Sequence, residues 1–210
     1  MIRFLTSALV SVMVLTGFYF MLRLTIPYFS FATNIDFLLT KQSILHVDIW
    51  RWSFYTHISS CLIVLIIGLL QFSKFILNQT PSLHRALGKI YVLCVLTISA
   101  PSGLIMGIYA NGGFWAKTSF VLISVGWWLF TFQAYRLIRM QQIEKHIQFM
   151  IRSYALTLTA LTLRLYVLVF PHFFILPAKE MYTLVAWLSW IPNLIIAEIV
   201  IRYKVFSWKN

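Results

Sequence analysis

Six apolar runs, at about residues 4–27, 54–77, 88–110, 115–137, 149–171 and 182–201, fill most of this 210-residue chain. Each is long enough to cross a hydrocarbon core of roughly 30 Å as a helix rising about 1.5 Å per residue. Inside such a core every backbone N–H and C=O must find its partner within the protein, which a helix achieves within its own segment. The runs therefore predict an all-α fold, a polytopic membrane helical bundle of about six transmembrane helices. The segments between them leave no room for a separate soluble domain, so residues 1–210 read as a single transmembrane domain.

Only 10% of the residues are charged and 60% are hydrophobic, whereas a soluble domain carries about 25% charged residues. Lipid must be the main solvent. The net charge of +12 does not indicate nucleic acid, because the basic residues are scattered between apolar runs rather than gathered in a patch. They read as topology determinants and headgroup contacts. Cys61 and Cys94 both fall inside apolar runs and form no CxxC motif. The first run has a single leading basic residue, Arg3, and no small-residue cleavage site, so it is expected to stay as a helix rather than be removed.

With the amino terminus inside, 11 lysines and arginines fall on inner segments and 5 on outer ones, with Arg164 left over inside the fifth run. This asymmetry predicts that both termini are cytoplasmic. The long outer connection, residues 28–53, holds Asp36, His46, Asp48, Trp50 and Trp52. Its tryptophans are expected at the membrane interface. A short amphipathic helix lying flat is one form open to it.

Polar residues inside a membrane bundle carry most of the information, because lipid tolerates them poorly. In the fifth run His146, Met150, Ser153, Thr157, Ala160 and Arg164 recur at alternating intervals of four and three, which keeps them on one helix face. That face is expected to point into the bundle, with its hydroxyls bonded to their own helix. His57, Cys61, Val64, Gly68 and Gln71 follow the same rhythm in the second run, and His84, Gly88 and Tyr91 begin it in the third. Ser99, Gly103 and Gly107 form a ladder of small residues that admits a neighbouring helix, and Gly68 leaves room for a helix or for a flat ligand. His84 and His146 share the inner edge, while His57 and Arg164 lie at similar depth toward the outer one. Arg164 is expected to bind carbonyls and polar side chains such as Asn193, or an anionic group of a ligand.

His84, Arg85, Gly88 and Tyr91 spell HRxxGxxY; His146, Met150, Arg152 and Ser153 spell HxxxMxRS. With His57, Gly68, Gln71 and Phe72 upstream and Arg164 downstream, these motifs resemble the family of predicted bacterial membrane proteins called domain of unknown function 2306. The resemblance covers about residues 52–164. It implies a multi-pass protein of the bacterial cytoplasmic (inner) membrane and no established activity. The histidine-bearing helices also look loosely like those of b-type cytochromes, an analogy that does not by itself assign function.

Three readings follow. In the first, a b-type haem binds between helices, with His84 and His146 as axial metal ligands and Arg85 and Arg152 neutralising the propionates. His57 and Arg164 would border a cofactor site on the outer side, where a second haem would need His57 to pair with His172 or another ligand. Such a protein carries electrons within the membrane and implies a quinone or another redox partner. In the second, zinc is held by His84, His146 and Glu144, or by His46, Asp48, His57 and His172, in an intramembrane enzyme. In the third there is no metal, and the chain is a transporter, assembly factor or scaffold, although paired broken helices are not evident. No acidic partner stands near Ser153 in sequence and no GxSxG elbow or P-loop occurs, so no catalytic residue is assigned. Oligomeric state is left open.

Overall fold

The computed structural model describes the backbone of residues 2–204 and the side chains of residues 12–204. Arg3 and Lys209, counted above for topology, fall outside the described side chains. Six helices are long and apolar enough to cross a membrane: Val12–Ser30, Asp48–Gln71, Pro81–Ile108, Phe114–Arg139, Ile143–His172 and Ala178–Arg202. They are called here the first to sixth spans. No strand occurs among the described residues. Six crossings bring the two ends of the described segment, near residues 2 and 204, to one side of the bundle, the terminal face. The opposite side carries the 31–47 connection and is the loop face.

Five span boundaries differ from those expected from hydropathy, and the shifts matter for the histidines. The second span starts at Asp48 rather than near residue 54, with the Asp48 carboxylate in the first turn, where the helix dipole favours it. It ends at Gln71, and the apolar residues beyond it form a separate short helix, Lys74–Gln79, whose first turn is capped by the Ser73 hydroxyl. The third span starts at Pro81, a residue suited to a first helical position because it has no N–H to leave unpaired. The fifth starts at Ile143 and the sixth at Ala178. His84 and His146 therefore lie inside helices, each about one turn from the terminal face.

Three spans are irregular. The third contains a π-helical turn, Val95–Ser99, just before Pro101, whose ring crowds the carbonyl four residues back and which cannot donate to it. The fifth breaks at Leu158 and the sixth at Ser189–Trp190. These two breaks face each other. Asn193 Nδ2 donates to the Ala155 carbonyl at 3.2 Å and to the Ser189 carbonyl at 3.1 Å, and the Thr162 hydroxyl also donates to Ser189. Paired broken helices are thus present, contrary to the sequence reading. Side chains a turn or more away in sequence satisfy these carbonyls, a source of interruption that hydropathy does not register.

The core follows the helical stripes. Cys61, Val64, Ile67, Tyr91, Val95, Trp127, Ala134, Met150 and Tyr154 pack at its centre. Gly107 lets the fourth span approach, since a Cβ there would stand 3.1 Å from Phe120 Cβ. Large apolar side chains such as Met13, Ile63, Leu93, Leu129 and Leu168 are exposed around the bundle, as a lipid-facing surface requires.

The 31–47 connection folds into two short turns, Asp36–Leu39 and Gln42–Ile44, that press Leu38 and Lys41 into the loop face. Trp50, expected at the interface, is fully buried beneath them and stacks on Phe54 with ring centroids 5.6 Å apart. The earlier helix start is the reason, since it places Trp50 in a first turn that the connection covers. Trp52 remains exposed.

Candidate functional site

The inward polar residues form three layers. At the terminal face, His84 and His146 enter from the third and fifth spans, and His146 lies within electrostatic range of His84. His146 Nδ1 is 2.8 Å from the Ala134 carbonyl. A carbonyl only accepts, so this nitrogen carries the proton and the neutral ring keeps its lone pair on Nε2. That arrangement orients metal-ligating histidines in general. His84 Nδ1 is buried with no hydrogen-bond partner, while its backbone carbonyl accepts from Gln71 Nε2 at 3.1 Å.

The arginines of the two motifs behave differently. Arg152 is bidentate to Glu198 of the sixth span, with Nε at 2.6 Å and Nη2 at 2.9 Å from the two carboxylate oxygens, and it also covers the Phe149 ring. Its charge is already matched within the protein. Arg85 is exposed and forms no ion pair among the described residues.

The glycines of the stripes are occupied by protein. A Cβ on Gly68 would stand 2.3 Å from the Tyr154 ring, and one on Gly88 would stand 3.3 Å from Gln71 Oε1. The space at Gly68 thus takes a tyrosine ring, not a flat ligand.

The middle layer is a closed set of hydroxyls. Tyr91 Oη lies 2.9 Å from Ser153 Oγ and 2.8 Å from Thr157 Oγ1, and Ser153 lies 2.7 Å from Thr131 Oγ1. Thr157 also donates to its own helix at the Ser153 carbonyl. The hydroxyls expected to bond only within the fifth span therefore bridge three spans. Thr131 is the member that the sequence reading missed. Ser124, Trp127, Thr131 and Ala134, all buried, repeat at intervals of three, four and three, a stripe that the absence of a histidine in the fourth span left unnoticed.

The third layer lies toward the loop face. His57 Nδ1 donates to the Ser99 carbonyl at 2.8 Å, at the end of the π-helical turn, and Nε2 lies 3.4 Å from Cys61 Sγ. Gly103 makes room for the ring, since a Cβ there would stand 2.9 Å from His57 Cε1. Both ring nitrogens are engaged. Arg164 is within electrostatic range of His57, Cys61 and Tyr28, so the shared depth of Arg164 and His57 is realised. Asn193 is not its partner, being committed to the two helix breaks and to Thr162.

The zinc sets are not assembled. Among the described residues no three histidine, cysteine, aspartate or glutamate side chains gather as a metal site. His46 and His172 are exposed, and Asp48 pairs with Arg51 at 2.6 Å. His57 lies nine residues into its span, roughly 13 Å below the loop-face end.

On the loop face itself, buried Lys41 donates to the Tyr109 carbonyl at 2.7 Å and to Asn111 Oδ1 at 2.8 Å. Burial, with the Lys117 cation as a smaller influence, lowers its ammonium from 10.5 to about 8.

Comparison with known proteins places these layers in context. No curated protein and no solved structure matches the chain. One family does match, over residues 54–201, the stretch that contributes every histidine and hydroxyl of the three layers. The chain therefore belongs to the family described as predicted membrane protein (DUF2306).

Proposed function

We propose that this protein carries electrons within a bacterial cytoplasmic membrane, holding one b-type haem between the third and fifth spans through His84 and His146. The observation that carries this reading is the state of the two rings. They come from different spans at matching depth, His146 has its Nδ1 proton fixed on Ala134, and His84 has a buried nitrogen with no partner in the protein. Two such rings would hold a haem iron. A bound haem supplies a one-electron couple, and its donor or acceptor would be a quinone or another redox partner. His146 is held in one tautomer by the carbonyl, and Arg85 is free to meet a propionate. Arg152 holds the fifth and sixth spans together through Glu198. The lysine and arginine asymmetry supports a cytoplasmic terminal face, and with it a cytoplasmic position for this pair.

An absorption spectrum tests the reading. Protein purified after haem-replete expression is expected to show a Soret band that shifts on reduction and is lost in both His84→Ala and His146→Ala. Hemin titrated into each purified variant should fail to restore it. A colourless wild-type protein, or an unaltered band in both variants, overturns the assignment.

A second reading, a metal-free scaffold or assembly factor, draws on a different observation. Tyr154 and Gln71 fill the spaces at Gly68 and Gly88, so the core between the second and third spans is closed by the chain's own side chains. The colourless outcome favours it.

A further inference from the structure

Arg164 carries a charge that no acidic side chain among the described residues answers. It lies eight residues from His172, the loop-face end of the fifth span, hence roughly 12 Å below it. A guanidinium keeps its proton, so it cannot escape the cost of this depth by neutralising. The chain has only 5 acidic residues. Asp48 pairs with Arg51 and Glu198 with Arg152. Asp36, Glu144 and Glu180 are exposed near the ends of the bundle.

The side chain does not snorkel to the headgroups. Its Nη1 donates to the Ala160 carbonyl at 3.0 Å, one turn back toward the terminal face and thus deeper in the membrane, the direction in which helical side chains lean. The residue is half-buried against the bundle rather than extended into the lipid. Of its five N–H donors, only this one is engaged among the described residues. None of its nitrogens is both sealed and unpaired, so the unused donors reach the protein surface. The neighbours within electrostatic range are His57, Cys61 and Tyr28, none of them a carboxylate. The Tyr28 hydroxyl accepts from the Phe37 N–H at 3.2 Å, and its own proton has no acceptor among the described residues.

We propose that Arg164 is the recognition residue of an oxyanion site in the loop-face half of the bundle, taking a carboxylate or phosphate group. The planar fork matches two oxygens of such a group, and the group supplies the countercharge that the protein withholds. The site is separate from the His84–His146 pair and does not depend on what that pair holds. The same chemistry reaches the site as a free ion or as the headgroup of an anionic lipid.

Thermal unfolding in neutral detergent, followed by tryptophan fluorescence at constant ionic strength, tests this with two probes. One is inorganic phosphate against chloride; the other is phosphatidylglycerol against phosphatidylcholine in mixed micelles. One or both are expected to raise the wild-type midpoint by about 3 °C or more and to leave Arg164→Gln and Arg164→Leu unmoved. Arg164→Lys keeps the charge without the fork, and its shift should be smaller than that of the wild type. A phosphate response identifies a free ion as a sufficient ligand. A phosphatidylglycerol response alone identifies a headgroup. With no probe present, Arg164→Leu should be at least as stable as the wild type, which keeps the comparison valid. Equal shifts in wild type and Arg164→Leu, or no shift in any of them, overturn the proposal.

Discussion

The Tyr91 hydroxyl stands 2.9 Å from Ser153 Oγ, so the tyrosine that ends one histidine motif meets the serine that ends the other. The two motifs are halves of one contact. Each sets a histidine at the terminal face and, seven residues along the same helix face, a hydroxyl in the core. Docking the hydroxyls at the centre of the bundle brings the histidines together at its end.

Removing one partner of this contact weakens the set without emptying it, since Ser153 keeps Thr131 and Thr157 keeps the Ser153 carbonyl. Tyr91→Phe strips a shared partner from Ser153 and Thr157 and is expected to destabilise the bundle by about 1–3 kcal/mol. Ser153→Ala should cost less, since Tyr91 keeps Thr157. Interhelical hydrogen bonds in membranes couple by about 0.6 kcal/mol on average and up to about 1.7. A double-mutant cycle on the two residues, measured by reversible unfolding in mixed micelles, should fall in that range. A coupling of zero would mean that the hydroxyls are neighbours without a bond.

Gly68 is a second test of the same region. A methyl group there would meet the Tyr154 ring at 2.3 Å, and the ring is tethered by its hydroxyl to the Leu65 carbonyl at 3.1 Å. Gly68→Ala must displace the ring and is expected to cost about 1–3 kcal/mol. Adding Tyr154→Leu should recover part of that loss, because the smaller side chain vacates the clash. Gly88→Ala should be milder, because its neighbour is the end of the Gln71 side chain. Unfolding midpoints that rank Gly88→Ala below Gly68→Ala would contradict this account.

Lys41 predicts a pH dependence of defined sign. Its ammonium is lowered from 10.5 to about 8 in the folded protein, so between these values the unfolded chain binds more protons than the folded one. Stability must then rise with pH across that interval. Below pH 8 both states are protonated and the group contributes no slope. The neutral amine still has two N–H donors for Tyr109 and Asn111, so the loop keeps its tether. The unfolding midpoint of the wild type, taken relative to Lys41→Met, should climb between about pH 8 and pH 10. A flat difference would place the lysine in a wetter setting than its burial implies.

The sequence revealed the lipid-facing and inward faces of the bundle, because both depend on helical periodicity alone. The stripe from Cys61 to Gln71 is buried as its spacing requires, with His57 half-buried at its end, and the stripe from His146 to Arg164 does point inward. Boundaries were harder to read. His84 and His146 sit in polar first turns that hydropathy excludes from an apolar run, although Pro81 marks the third span's start. Partners at long range were not legible at all. Arg152 and Glu198 are 46 residues apart, and only the packing of the fifth span on the sixth makes them a pair. The break at Leu158 has no glycine or proline to announce it, and the Asn193 side chain that meets the Ala155 carbonyl beside it comes from another helix. Lys41 gave no signal either, since a lysine in a polar loop is ordinarily solvated.

Orientation decides which layer faces which compartment, and two exposed lysines report it. Lys117 lies in the first turn of the fourth span at the loop face, and Lys145 in the first turn of the fifth at the terminal face. The charge asymmetry of 11 against 5 predicts that the terminal face is cytoplasmic. In a Cys61→Ala, Cys94→Ala background, Lys117→Cys should react with an impermeant maleimide added to intact cells. Lys145→Cys should react only after the membrane is opened. Neither change removes a buried contact, since both side chains are exposed. The reverse labelling pattern would turn the bundle over. The His84–His146 pair would then face outward and Arg164 would lie toward the cytoplasm, where its oxyanion would have to come from the cell interior.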